Sequence, residues 1–226
     1  LKKEELMALG ALFYPKGTEE KPIKFDELYI PYIYKEIYLE GIYVDLFNMQ
    51  KDRVVMDVGA NIGCTVQYFR DFSKKIYAIE PSPEHYEALV KNKEFNGWDN
   101  VETFNVAIAD KDGEMMLNQN SSNRTCHSLT LDYKQGGTMV KTVAFDTFFE
   151  QNKIEKIDFC KFDVEGMEKI ILPSLSFEKI HKKINSIMVE FHLPDWKDLV
   201  KLMIEKYGFD ARRYNSSAIV VLFVKN

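Results

Sequence analysis

Cysteine is scarce in this chain of 226 residues: Cys64, Cys126 and Cys160 are odd in number and show no C-x-x-C spacing. That argues against a disulfide framework or a zinc site and points to a reducing, cytoplasmic setting. No apolar run approaches the roughly 20 residues that span a bilayer, and the acidic, lysine-containing start Leu1 to Glu5 lacks signal-peptide form, so no membrane partner is expected. A basic stripe is missing too. The net charge is -5, which argues against a nucleic-acid partner held by phosphate contacts and favours a small acceptor. No internal repeat or low-complexity tract breaks the chain.

What is present is a hydrophobic content of 46% with 29% charge, enough for one globular domain and a modest decoration. We place an amino-terminal extension or cap at 1–50 and the main domain at 51–226. Apolar runs of strand length alternate with helical segments, the pattern of an open, mostly parallel sheet with helices on both faces. Strands are expected near 53–58, 75–80, 101–106, 157–162 and 186–191. Helices are expected near 62–72, 83–95, 146–152, 166–172 and 195–207. The tail, Phe209 to Tyr214 and Ala218 to Val224, reads as a closing antiparallel hairpin. Asn118 to Gly137 is a long polar segment rich in Ser, Asn and Gly, which predicts a mobile lid over an acceptor.

The stretch Val54 to Gly63 (VVMDVGANIG) reads as a buried strand running into a glycine turn at a helix start. Gly59 lets the backbone turn without a Cβ clash, and Gly63 lets the next helix pack closely on the strand. A dinucleotide fingerprint needs a second glycine where Asn61 stands, and Asp57 would repel a pyrophosphate. A ligand with sulfonium and ammonium groups would instead be attracted, as S-adenosylmethionine is. Close helix packing alone is the plainer explanation of a lone G-x-x-x-G. Lys75 to Glu80 (KIYAIE) then ends a second strand in an acid, 23 positions beyond Asp57, where a carboxylate can accept hydrogen bonds from both ribose hydroxyls. Pro81-Ser82-Pro83 supplies a rigid turn, a cap and a proline at the first helical position.

The most specific motif is Ile157 to Leu172, IDFCKFDVEGMEKIIL. With it the sequence resembles the FkbM family of S-adenosylmethionine-dependent methyltransferases, in which a D-x-GAN-x-G turn is followed by K-x-D-V-E-G-x-E. The likeness runs from about Glu36 to His192 and takes in VAIADKDGEM and TVAFDTFF. It implies the class I fold: an α/β, doubly wound, Rossmann-like, mostly parallel seven-stranded sheet closed by the antiparallel hairpin. It further implies S-adenosylmethionine as cofactor and methyl transfer to a hydroxyl of a sugar or natural product. Asp57, Gly59, Asn61, Gly63, Glu80, Pro81, Ala107 and Asp163 form the expected cofactor set. A base-modifying enzyme would usually show a D/N-P-P-Y/F strand end, which is lacking. The rivals are a nicotinamide-dependent oxidoreductase on a similar sheet and a non-catalytic S-adenosylmethionine-binding protein.

Methyl transfer requires alignment of oxygen, methyl and sulfur, and removal of one proton. Asp163, at the end of the fourth strand, could orient the methionine amino group or the acceptor hydroxyl. Glu165 follows on the turn, where a helix cap is the plainer role. Lys161 shares a strand face with Asp163 and is a further catalytic candidate, with structural pairing to a carboxylate as the plainer role. His192, at the end of MVEFH, is the favoured base: it is expected to titrate near neutrality, with Glu190 orienting its other nitrogen. Packing of that ring on Trp196 is the alternative. His127 is the second choice of base, and His85 and His181 read as surface helix residues. Asp163, Glu165, Glu190 and His192 could instead gather a divalent cation, but no metal is assigned. Tyr29, Tyr32, Tyr34, Tyr38 and Tyr43 crowd the extension, which suits a lid or the contact of a homo-oligomer.

Overall fold

A computed structural model describes residues 52–120, 127–131, 133–192, 194, 196–215 and 219–225, with two short strands, β1 (Leu12–Phe13) and β2 (Ile23–Lys24). The tyrosine-rich segment and Cys126 lie outside the described residues. The framework is a seven-stranded sheet. It comprises β3 (Arg53–Val58), β4 (Ser73–Ile79), β5 (Val101–Phe104), β9 (Phe159–Phe162), β10 (Ser186–Glu190), β11 (Phe209–Asn215) and β12 (Val220–Lys225). Their order across the sheet is β11-β12-β10-β9-β3-β4-β5. Every neighbouring pair is parallel except β10–β12 and β11–β12, so the tail is the expected antiparallel hairpin.

Period-two alternation sends successive strand residues to opposite faces, and both faces are apolar because helices cover both. Val55, Ile76 and Phe159 join the layer with Val66 and Phe69 of α1 (Cys64–Arg70) and Leu89 of α2 (Pro83–Asn96). Met56, Tyr77, Cys160 and Ile187 face the other layer, with Phe145 and Phe148 of α3 (Phe145–Gln151) and Ile171 of α4 (Glu168–Ile171). Phe177 of α5 (Leu175–Ile180) and Met203 of α6 (Trp196–Glu205) complete that layer. Helix α2 begins as expected: Ser82 caps it, its hydroxyl accepting from the His85 N–H, and Pro83 opens it. Among the described residues no helix is long and apolar enough to cross a membrane.

A second, three-stranded sheet was not expected. It is β6 (Ala107–Ala109), β7 (Gly113–Asn118) and β8 (Gly137–Ala144), in the order β6-β8-β7. The long polar segment is therefore the connection of the antiparallel β7–β8 pair. Its described part is tied down: Asn118 and Ser128 exchange backbone hydrogen bonds at 2.8 and 3.1 Å, and Ser128 is fully buried. Helix α5 was also missed, because its six residues are too short to show a period.

Candidate active site

Strand β3 is the pivot of the sheet, since the chain runs from it outward to β4 and β5 and later returns on its other side as β9. The crevice beyond the strand ends at such a reversal is where open α/β sheets bind ligands. Gly59 leaves β3 there at φ +84°, and a Cβ on it would lie 2.0 Å from the Asp163 carbonyl oxygen. Only glycine allows the ends of β3 and β9 to approach so closely. Gly63 serves differently from expectation: a Cβ there would meet Leu89 and Trp98, so its bareness seats α1 against the α2 side rather than on the strand.

Glu80, buried at the end of β4, accepts the Asn61 N–H on Oε2 and the Ser82 N–H on Oε1, each at 2.8 Å. Two backbone donors fix the carboxylate while leaving lone pairs for further donors. Asn61 itself sits at φ +51°, a conformation its side chain tolerates. Asn105 donates to the Glu80 and Pro81 carbonyls and so fixes the turn after β4. Ala107, also expected in the cofactor set, packs its methyl with Leu117 and Val140 in the core of the second sheet. His85, expected on the surface, is buried, 3.7 Å from Glu80 and stacked on His127 with centroids 4.8 Å apart. His181, also expected outside, packs on Tyr207, and burial lowers its pKa.

Asp57 does not face the crevice. It is wholly buried, accepts the Thr65 hydroxyl, and pairs through Oδ1 with Lys161 Nζ at 3.2 Å. Burial pushes its carboxyl up, while Lys161 and Thr65 hold it down. Lys161 lies opposite Asp57 in the β3–β9 register and also reaches the Gly59 carbonyl at 2.8 Å and Asp163 Oδ2 at 3.3 Å. One ammonium thus ties together the glycine turn and both carboxylates. The thiols of Cys64 and Cys160 are buried and pushed up, Cys64 to about 12, so neither is a nucleophile at neutral pH.

His192, just beyond β10, stands among four carboxylates. Its Nε2 lies 3.5 Å from Glu165 Oε2 and 3.7 Å from both Asp163 Oδ1 and Glu190 Oε1. Its Nδ1 is 3.0 Å from Glu168 Oε1, so Glu168, not Glu190, orients the ring. The alternative packing on Trp196 is not observed; that indole lies against Phe191. Burial opposes the imidazolium, but Glu168, Asp163 and Glu165 outweigh it and push the pKa up to about 10. His192 therefore keeps its proton through neutrality, instead of titrating there. Glu165 adopts φ +49° on the turn, and its carbonyl accepts the Ser128 hydroxyl at 2.5 Å, which docks the β7–β8 connection on the site. Glu168 was missed, although it ends the quoted K-x-D-V-E-G-x-E pattern.

The family model for the methyltransferase FkbM domain matches residues 57–211, from the glycine turn to the closing hairpin. The chain belongs to the FkbM methyltransferase family. Among relatives of this FkbM methyltransferase is the hexuronic acid methyltransferase AglP of Haloferax volcanii, 27% identical over 159 residues, covering 69% of this chain and 63% of that one. Methyltransferase sdnD of Sordaria araneosa is 26% identical over 216 residues, covering 80% and 83% respectively. The class I fold is shared with a putative rRNA-methylase from Clostridium thermocellum at a TM-score of 0.52 and 10% identity, over 84% of this chain and 94% of that one. A putative methyltransferase from Streptococcus mutans, solved with S-adenosylhomocysteine, aligns at 0.50 and 14% identity, over 78% and 90%. The protein is a methyltransferase.

Proposed function

We propose that this enzyme transfers the methyl group of S-adenosylmethionine to a hydroxyl of a small molecule, a glycan or a secondary metabolite. The observation that carries the reading is the Glu80 carboxylate, held by two backbone amides beside the glycine turn, an acceptor for ribose hydroxyls. Gly59, Asn61 and Pro81 form the backbone around it, and Lys161 with Asp57 keeps the turn in shape. The name of one relative, a hexuronic acid methyltransferase, supports a small oxygenated acceptor, and the charge of -5 supports that over nucleic acid.

Asp163, Glu165 and His192 receive the acceptor at the ends of β9 and β10. An oxygen lone pair forms the new bond to carbon, the carbon–sulfur pair stays on sulfur, and the sulfonium becomes a thioether. The hydroxyl proton passes to the carboxylate-rich cluster around His192, where Glu190 and Asp163 are the most exposed to solvent. The chain's part in this is alignment and proton removal, because the sulfonium is already a good leaving group.

The test is calorimetry with S-adenosylhomocysteine and with NAD, followed by a screen of uronic acids, sugars and polyols using methyl-labelled S-adenosylmethionine. Heat from S-adenosylhomocysteine, none from NAD, and label in an ether-linked product are expected. Binding of NAD alone would establish the oxidoreductase instead, and cofactor binding with no labelled product across the screen would favour a non-catalytic binder.

A further inference from the structure

We propose that Asp163, Glu165 and His192 form a site for one divalent cation at the carboxyl ends of β9 and β10. Their donor atoms all lie within 4.8 Å of one another. Two donors that each sit about 2.1 Å from one ion, at a tetrahedral angle, are about 3.4 Å apart. The observed Nε2 separations, 3.5 Å to Glu165 and 3.7 Å to Asp163, match that span and are long for direct hydrogen bonds.

Three further observations distinguish the cluster from an acidic surface patch. Glu168 is only 1% exposed and binds Nδ1 at 3.0 Å. A carboxylate only accepts, so Nδ1 carries a hydrogen toward Glu168; the proton that Nε2 holds in the ion-free protein leaves to solvent as the ion binds between Nε2, Asp163 and Glu165, giving the carboxylate–histidine–metal arrangement. Asp163 is divided between two tasks. Its Oδ2 meets Lys161, whereas its Oδ1, nearest to Nε2, is buried and lacks a hydrogen-bond partner. Finally, Asp163, Glu165, Glu168 and Glu190 place four carboxylates around one imidazole, a surplus of negative charge that a divalent ion would neutralise.

One imidazole and two carboxylates suit Mn²⁺ or Zn²⁺ better than Ca²⁺, which takes six to eight oxygens. Three protein ligands leave positions open for water or for acceptor oxygens. Use of the ion to hold a hydroxylated acceptor rests on the methyl-transfer reading above; binding of the ion does not.

The experiment uses the full chain, stripped with a chelator and titrated with Mn²⁺ under electron paramagnetic resonance, with Zn²⁺ as competitor. One saturable Mn²⁺ per chain, displaced by Zn²⁺, is expected. Glu165→Gln and His192→Gln should each abolish it, and Glu168→Gln should weaken it about 10- to 100-fold, the usual effect of losing such a supporting carboxylate. Calorimetry with S-adenosylhomocysteine on every variant reports folding. No saturable Mn²⁺ at millimolar concentration, or binding that survives both Glu165→Gln and His192→Gln, would overturn the site. Should Mn²⁺ bind while S-adenosylhomocysteine does not, the ion site stands and the methyl-transfer reading falls.

Discussion

Glu80 has two duties that different substitutions separate. Glu80→Gln keeps an oxygen for one backbone amide but sets a donor against the other and loses the charge, so affinity for S-adenosylhomocysteine should fall by about 1 to 3 kcal/mol with a smaller loss of stability than truncation causes. Glu80→Ala leaves the Asn61 and Ser82 amides unsatisfied and should lower stability as well, which calorimetry and urea denaturation would resolve. Lys161 is the other side chain on which the site depends. Lys161→Met strands the fully buried Asp57 without its cation, so a loss of about 3 to 5 kcal/mol in urea denaturation is expected. A stability within 1 kcal/mol of wild type, about what an exposed pair contributes, would show that Asp57 does not need the pair. Single residues were legible in the sequence where the backbone decides: Gly59 makes the turn without a Cβ as read, and Glu80 follows its strand as the expected acid. Asp57 was misjudged as facing a ligand, because strand register alone sets Lys161 beside it, 104 positions away from where local sequence can speak.

Secondary elements were legible in proportion to their length and burial. The long hydrophobic strands β3, β4 and β10 and helix α2 fall close to the expected bounds. β7 and β8 escaped because their exposed positions are mixed, Met116 facing Met139 across the pair, and because the polar residues between them read as loop. The β7–β8 connection is held at the site by Ser128, whose hydroxyl donates to the Glu165 carbonyl and accepts from the Thr130 and Leu131 amides. Ser128→Ala should cost about 1 to 3 kcal/mol, as for buried groups left unpaired, and should raise hydrogen exchange across 127–131. Unchanged exchange there would mean the pairing with Asn118 suffices.

Helices α3 and α5 are joined by Asp146, which accepts from Ser176 at 2.6 Å and pairs with Lys179. Burial opposes its charge, but Lys179 and Ser176 outweigh it and hold the carboxyl below the usual range. A carboxyl depressed in the folded state stabilises above its unfolded pKa, and that stabilisation is lost as pH falls through the folded value. Asp146→Asn should therefore be less stable than wild type at neutral pH, with the difference vanishing in acid. A difference independent of pH in urea denaturation would assign the effect to packing.

At the level of the whole molecule, a ligand that binds only the folded chain raises its stability by about 2.7 kcal/mol at a hundred times its dissociation constant. Thermal unfolding should therefore shift upward with S-adenosylhomocysteine and stay fixed with NAD. The sequence by itself determined the doubly wound sheet, its closing hairpin, the glycine turn and the acid after β4, since each is written in local periodicity or in a backbone conformation that few residues accept. Only the tertiary structure decided that Lys161 joins Asp57 to Asp163, that Glu168 orients His192, and that Glu168, Asp163 and Glu165 together hold its proton through neutrality. Those are contacts between strand ends and turns far apart along the chain, and their electrostatics exist only when the parallel register brings charges within a few ångströms in a medium drier than water.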